Sequence, residues 1–128
     1  MHVDVRCFCV NKHHGTPPGA IYCGRGSDWG NPFRTRQAGG TLAQGEAVAE
    51  HEFWLAQPEQ AHLLRRIDEL RGHKLICFCA PKLCHTNVLA FLANSDRATR
   101  IRWWHDMRSR DRRRTIVSHD AWKCFERA

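Results

Sequence analysis

The stretch Leu75-Ile76-Cys77-Phe78-Cys79-Ala80-Pro81-Lys82-Leu83-Cys84-His85 constrains this chain more than any other. A short apolar run ends in two alternate cysteines, turns through Ala80 to Leu83, and delivers Cys84 and His85 where the apolar-periodic segment Thr86 to Asn94 begins. The pattern predicts a strand, a site and a helix in immediate succession. On a strand, Cys77 and Cys79 share one face. Cys84 and His85 then fall in the exposed first turn of the helix, where unpaired N–H groups and the helix dipole favour an anion or a thiolate.

Three chemistries fit that corner. Cys77, Cys79, Cys84 and His85 are a soft-donor set suited to zinc, which is the candidate cofactor, although C-x-C-x4-C-H is not one of the familiar finger spacings. Cys77 also suits a plain core position, since reduced cysteine is among the most buried residue types. In the third reading Cys84 is a nucleophile activated by the helix start, with His85 as its base.

Composition bounds the rest. At 128 residues and 42% hydrophobic, the chain can bury one core and carry a tail. No apolar run approaches the ~20 residues of a membrane-spanning helix, and no signal-peptide pattern opens the chain, so a cytoplasmic location is expected. Seven cysteines, an odd number, point to reduced thiols rather than a disulfide framework. The net charge of +7 is unevenly placed, because residues 1 to 94 carry ten Lys and Arg against eight Asp and Glu, whereas residues 95 to 128 carry ten against five. The basic character belongs to the C-terminal quarter, as for an appended element that faces a polyanion or a protein partner.

Alternation over residues 3 to 10 predicts a first strand, and Ala20 to Cys23 a second. The second empties into Gly24-Arg25-Gly26-Ser27-Asp28-Trp29-Gly30-Asn31-Pro32-Phe33. Its glycines let backbone approach a ligand, Arg25 offers a fork for phosphate or carboxylate, and Ser27 and Asn31 add hydrogen bonds. Trp29 can stack on a planar ring, or pack with Phe33 into the core. The loop is neither a Walker loop nor a dinucleotide fingerprint. Thr41 and Gln44 fit a capping box for a helix with Ala47, Val48, His51, Trp54 and Leu55 on one face, Glu46 in its first turn, and Glu50 and Glu52 mostly off that face. Pro58 opens a further helix, with Leu63, Leu64, Ile67 and Leu70 at helical spacing, that ends at Gly72.

After Asn94 the segment Arg97 to Arg114 holds eight arginines around Trp103 and Trp104. Arginine interleaved with tryptophan suits a nucleic-acid contact, with Arg97, Arg100, Arg102, Trp103 and Arg108 as its members. The competing reading docks Ile101, Trp104 and Met107 on the domain and leaves the arginines solvated. Thr115 to Ser118 reads as a short strand and Asp120 to Arg127 as a last helical turn.

Taken together, the box from Tyr22 to Phe33, the Glu46-Ala47-Val48 and Trp54-Leu55 pairings, and the box from Leu70 to His85 followed by Leu89 and Leu92-Ala93-Asn94 resemble a small family. It is catalogued as a domain of unknown function and is common in bacteriophages and in bacterial genomes that carry prophages. The resemblance covers roughly Asp4 to Asn94 and excludes Cys7, Cys9, Cys23, Cys124 and the arginine-rich tail. It names no reaction, but it implies that the two boxes belong together, and a phage setting makes nucleotide or nucleic-acid chemistry the substrate class.

The expected architecture is a small, largely parallel α/β sheet from residues 3 to 10, 20 to 23 and 74 to 79. Helices at 41 to 56, 58 to 71 and 84 to 93 flank it, and a basic, partly helical extension occupies 95 to 128. Both boxes follow strands, and open α/β sheets bind ligands beyond the carboxyl ends of their strands. The first hypothesis is an enzyme acting on a nucleotide, nucleoside or nucleic-acid base. In it Gly24, Arg25, Gly26, Ser27 and Asn31 hold phosphate or sugar, Trp29 lies against a ring, Cys84 and His85 act from the helix start, and Asp28 is the nearest acid or base. The alternative is a non-enzymatic module that binds nucleic acid or a host protein through the tail, with the cysteines structural.

Overall fold

The computed structural model describes residues 9–78 and 84–109. Residues 3 to 8 of the first expected strand, Cys7, Cys79, the turn from Ala80 to Leu83, the arginines from Arg110 to Arg114, and the elements expected over Thr115 to Ser118 and Asp120 to Arg127, with Cys124, lie outside the described residues. Within them the fold is a small α/β unit. Strands β1 (Cys9–Asn11), β2 (Ile21–Tyr22) and β3 (Leu75–Cys77) form a sheet of order β1-β3-β2, with both pairings parallel. Cys9 stands opposite Leu75 on one side and Ile21 opposite it on the other. The ladder runs past β2 at both ends, since the Ile21 N–H donates to the Lys74 carbonyl (2.8 Å) and the Cys23 N–H to the Ile76 carbonyl (2.9 Å). β3 is buried along its length, which is why it is apolar on both faces.

The helices fall close to the predicted segments, with informative differences. Helix α1 (Gln44–Leu55) starts later than Thr41, because Leu42 bridges in parallel to Thr35 and holds Thr41 in the preceding turn. The capping interaction therefore uses Glu46, whose carboxylate accepts the Ala43 N–H (3.0 Å), and not Thr41 with Gln44. The segment from Pro58 to Leu70 is not one helix. It breaks into a 3-10 turn (Pro58–Gln60), a single turn α2 (Ala61–Leu64) and a second 3-10 turn (Ile67–Leu70). Leu63, Ile67 and Leu70 still reach the core, while Arg66 is turned outward onto Glu69 (2.9 Å) and Asp28 (3.2 Å). Tertiary contacts here override a run of good helix formers, since propensity is only a weak prior on the final structure.

Helix α3 (His85–Ala93) is the central element, buried on every side rather than along the stripe of Val88, Leu89 and Leu92. Its start is tied by the Cys84 N–H, which donates to Asn87 Oδ1 (2.7 Å). Its end is closed by Arg100, whose guanidinium donates to the carbonyls of Leu92 (2.6 Å) and Ala93 (2.9 Å) and to Asp68 (2.7 Å). A cation at the carbonyl end of a helix is favourable for the dipole.

Arg100 belongs to helix α4 (Arg97–Ser109), which packs on the same core through Thr99, Trp103 and Met107. That face differs from the expected Ile101, Trp104 and Met107; Ile101 is 44% exposed. The reason is polar as well as apolar: the Trp103 indole N–H donates to Glu52 of α1 (2.7 Å), a carboxylate expected off the helix face and found buried. The boundary expected at residue 94 thus does not separate α4 from the core. We predict that Trp103→Ala lowers stability by about 3–5 kcal/mol in urea denaturation, whereas Ile101→Ala stays within about 0.5 kcal/mol.

Candidate functional site

Because β2 and β3 are parallel neighbours, the two boxes emerge at one edge of the sheet. After Tyr22 the chain makes two tight turns. The Ser27 N–H and hydroxyl both donate to the Gly24 carbonyl (3.1 and 2.6 Å), and the Gly30 N–H donates to the Ser27 carbonyl (3.1 Å). Two glycines sit at close approaches. A Cβ at Gly30 would lie 2.8 Å from the Gly24 carbonyl oxygen, and one at Gly24 about 2.6 Å from the Tyr22 ring, whose hydroxyl donates to the Arg25 carbonyl (3.0 Å).

This loop keeps some of its expected ligand groups and spends others on itself. Gly24, Arg25 and Asn31 line the cleft described below. Asn31 also braces it, since its amide donates to the Ala47 carbonyl of α1 (3.1 Å) and its oxygen accepts the Phe33 N–H (2.9 Å). Ser27 and Gly26 serve the turns, not the cleft. Trp29 is 5% exposed and packs in the core, with Arg66 above its ring, so it is not a surface for stacking a ligand. Asp28 is held by Arg66 on the outer surface and does not line the cleft, which removes it as the acid or base of this site.

On the other side, Cys77 ends β3 and Cys84 and His85 open α3. The Cys77 and Cys84 sulfurs are 3.1 Å apart, and Cys84 Sγ lies 3.4 Å from His85 Nδ1. His85 Nε2 is 2.7 Å from the Cys23 carbonyl oxygen. A carbonyl only accepts, so Nε2 carries the ring proton and Nδ1 of the neutral ring faces the Cys84 thiol as an acceptor. Burial lowers the His85 pKa, against an opposing contribution from the Cys23 carbonyl, and keeps the ring neutral. Cys23 is also buried, and loss of solvent pushes its thiol up to about 12. It is an inert structural sulfur whose backbone does the work.

The cleft between the boxes has a volume of about 650 Å³. Its floor is Cys77 and His85. One wall is Gly24, Arg25 and Asn31, and the other comes from Thr35, Gln37, Ala38 and the first turns of α1 at Gln44, Ala47 and Val48. Asn11 and Phe78 close the rim, with the Asn11 amide donating to the Phe78 carbonyl (3.1 Å). Phe78 is 50% exposed and meets the rings of His13 and Tyr22 at 5.3 and 6.4 Å. Cys84 is fully buried and does not line the cleft, so as a nucleophile it has no direct face on a ligand there. Zinc at this corner depends on Cys79, outside the described residues; among the described residues no three His, Cys, Asp or Glu side chains converge on a metal position.

Sequence reasoning missed Asn11, Gln37, Gln44 and His51. Asn11 and Gln37 are ordinary polar residues of loops and helix starts with no spacing to mark them, and Gln44 reads only as part of a capping box. His51 appears as an apolar-face position, and it is 1% exposed with its ring 5.1 Å from that of His85. Its Nδ1 has no hydrogen-bond partner among the described residues. Burial, reinforced by His85, lowers its pKa well below 6.5.

Of the expected nucleic-acid contacts, Trp103 is buried in the core and Arg100 closes α3. Arg102 donates to Thr99 within α4 (3.4 Å), and Arg108 lies over the Trp104 ring (4.4 Å). Arg97 borders a small apolar groove with Ile101 and Trp104.

The two buried histidines make stability depend on pH. Both have native pKa values lowered from 6.5, so below that pH the unfolded chain binds more protons than the native one. Their contribution is complete above about pH 6.5 and is lost as pH falls toward the native values, at no more than about 1.4 kcal/mol per pH unit for each ring. The urea midpoint is predicted to drop between about pH 6.5 and 5, and His51→Phe to flatten part of that drop.

No helix among the described residues is long and apolar enough to cross a membrane. No curated protein and no solved structure matches the chain. A family model described as a domain of unknown function, DUF4326, matches residues 6–95, which include both boxes and end before α4. The chain therefore belongs to the DUF4326 family.

Proposed function

We propose that the cleft binds a nucleotide, a nucleoside or an unstacked nucleic-acid base. The observation that carries this reading is the chemistry of the lining: one cation, Arg25; the carboxamides of Asn11, Asn31, Gln37 and Gln44; no carboxylate among the described lining residues; and the half-exposed ring of Phe78 at the rim. Carboxamides match the paired donor and acceptor edges of bases, an aromatic face stacks on them, and a guanidinium suits a phosphate. The position, beyond the carboxyl ends of parallel strands, and the volume both suit a ligand of mononucleotide size.

Two features of the surroundings favour an anionic group at this place. The N-terminal turns of α1 and α3 both reach the cleft, through Gln44 and His85, so their dipoles add to the charge of Arg25. His85, neutral and on the floor, is the lining side chain suited to proton chemistry at pH 7. A prophage or phage origin, which the sequence resemblance implies, would agree with such a ligand. The rival reading, nucleic-acid contact through α4, keeps Arg97, Arg102 and Arg108 but loses Trp103 and Arg100 to the fold.

Calorimetry with nucleoside monophosphates, nucleosides, ribose 5-phosphate and inorganic phosphate tests the proposal. Monophosphates should bind and, at a hundredfold excess over Kd, stabilise the protein by about 2.7 kcal/mol. Arg25→Ala should weaken monophosphates about tenfold or more while sparing nucleosides. Phe78→Ala should weaken both by about 1–3 kcal/mol. Absence of binding by every member of the series, with salt-dependent binding of nucleic acid abolished by replacing Arg97, Arg102 and Arg108, would transfer the function to α4.

A further inference from the structure

The floor of the cleft holds a second chemistry that does not depend on which ligand the cleft accepts. Cys77 and Cys84 have sulfurs 3.1 Å apart, within about 1 Å of an S–S bond, so closing a disulfide needs little backbone movement. The same distance is shorter than the roughly 3.8 Å edge of a tetrahedral zinc site with 2.3 Å bonds. The two thiols are also unlike each other. Cys77, though only 2% exposed, borders the cleft, whereas Cys84 is fully buried and does not. Cys84 has a base beside it, His85 Nδ1 at 3.4 Å, with the ring oriented by the Cys23 carbonyl at 2.7 Å. A thiol at the cleft wall, a second thiol in contact with it and a fixed proton acceptor are the parts of a reacting and resolving pair.

We propose that Cys77 and Cys84 form a redox-reactive dithiol, in which Cys77 is oxidised by a peroxide entering the cleft and Cys84 resolves the product as a disulfide. In the first step the Cys77 thiolate attacks one oxygen of hydrogen peroxide. The O–O bond breaks, Cys77 becomes a sulfenic acid, and the departing hydroxide takes the proton that the thiol released. In the second step Cys84 gives its proton to His85 Nδ1 and its sulfur attacks Cys77. The S–O bond breaks, and the leaving hydroxide recovers the proton from His85 as water. Two thiols and one peroxide give one disulfide and two waters, with the sulfurs oxidised and the peroxide oxygens reduced. The bond would tie the end of β3 to the start of α3, next to Phe78 at the rim. Cys23, buried and with its pKa raised, is the bystander in the same neighbourhood.

Peptide mapping of the full chain after stoichiometric hydrogen peroxide tests this directly. Trypsin cleaves after Lys82 and so separates Cys77 from Cys84. The expected product is a cross-linked peptide pair, with fragmentation assigning the bond to Cys77 and Cys84 and an intact mass lower by two hydrogens. In Cys84→Ser a sulfenic acid trapped by dimedone should accumulate at Cys77. In His85→Gln disulfide closure should slow by about tenfold or more, and the sulfenic acid trapped at Cys77 should rise accordingly. A bond that joins Cys77 to Cys9 or Cys79, a folded protein that forms no bond, or oxidation that begins only after a chelator removes zinc would each overturn the proposal.

Discussion

Leu75 and Ile76 are paired on both sides, and Cys77 on one, by strands that run in their own direction, and the meeting of the two boxes follows from this. A central parallel strand must be apolar on both faces and must deliver its carboxyl end beside those of its neighbours. Asn11, the turn after Tyr22, and Cys77 with Phe78 therefore meet at one edge. Had β2 paired antiparallel to β3, Arg25 and His85 would stand at opposite ends of the sheet. The hydrogen bond between His85 and the Cys23 carbonyl then locks the start of α3 to the end of β2.

That edge is built against stability. A buried histidine whose Nδ1 has no partner among the described residues sits beside a second buried histidine, and two sulfurs approach closer than ordinary contact. Burying a polar group without a hydrogen bond costs about 1–3 kcal/mol, and such groups concentrate where chemistry needs them. The compensation lies elsewhere. α3 is buried all round, Arg100 closes its carbonyl end, and Trp103 with Met107 brings α4 onto the same core. The arginine-rich helix is thus partly structural, and the charges left at its surface are fewer than its sequence suggests.

Much of this is legible before any coordinates. The apolar run at Leu75 to Cys77 marks a central strand, the residues after Cys84 mark a buried helix, and the rule that ligands lie beyond strand ends joins the two boxes. What periodicity does not carry is direction. Trp29 and Ser27 belong to a loop rich in ligand-type residues, yet the loop folds on itself and turns Trp29 inward, because two glycines permit turns tight enough for Ser27 to close on Gly24. On α4, Trp103 and Trp104 are adjacent and equally apolar. The carboxylate of Glu52, more than fifty residues earlier in the chain, holds the Trp103 indole in the core, while Trp104 packs only partly buried against it. The carboxamides of the cleft come from four separated segments and acquire meaning only when the sheet assembles them.

Whether this edge of the sheet is the working surface can be read from backbone amide chemical shifts during titration of the full chain with a nucleoside monophosphate. Saturable shifts concentrated at Gly24, Arg25, Asn31, Ala47, Phe78 and His85, with α4 unmoved, are the predicted result. Shifts centred on Arg97, Arg102 and Arg108 that leave the Gly24 to Asn31 turn and His85 unchanged would contradict it.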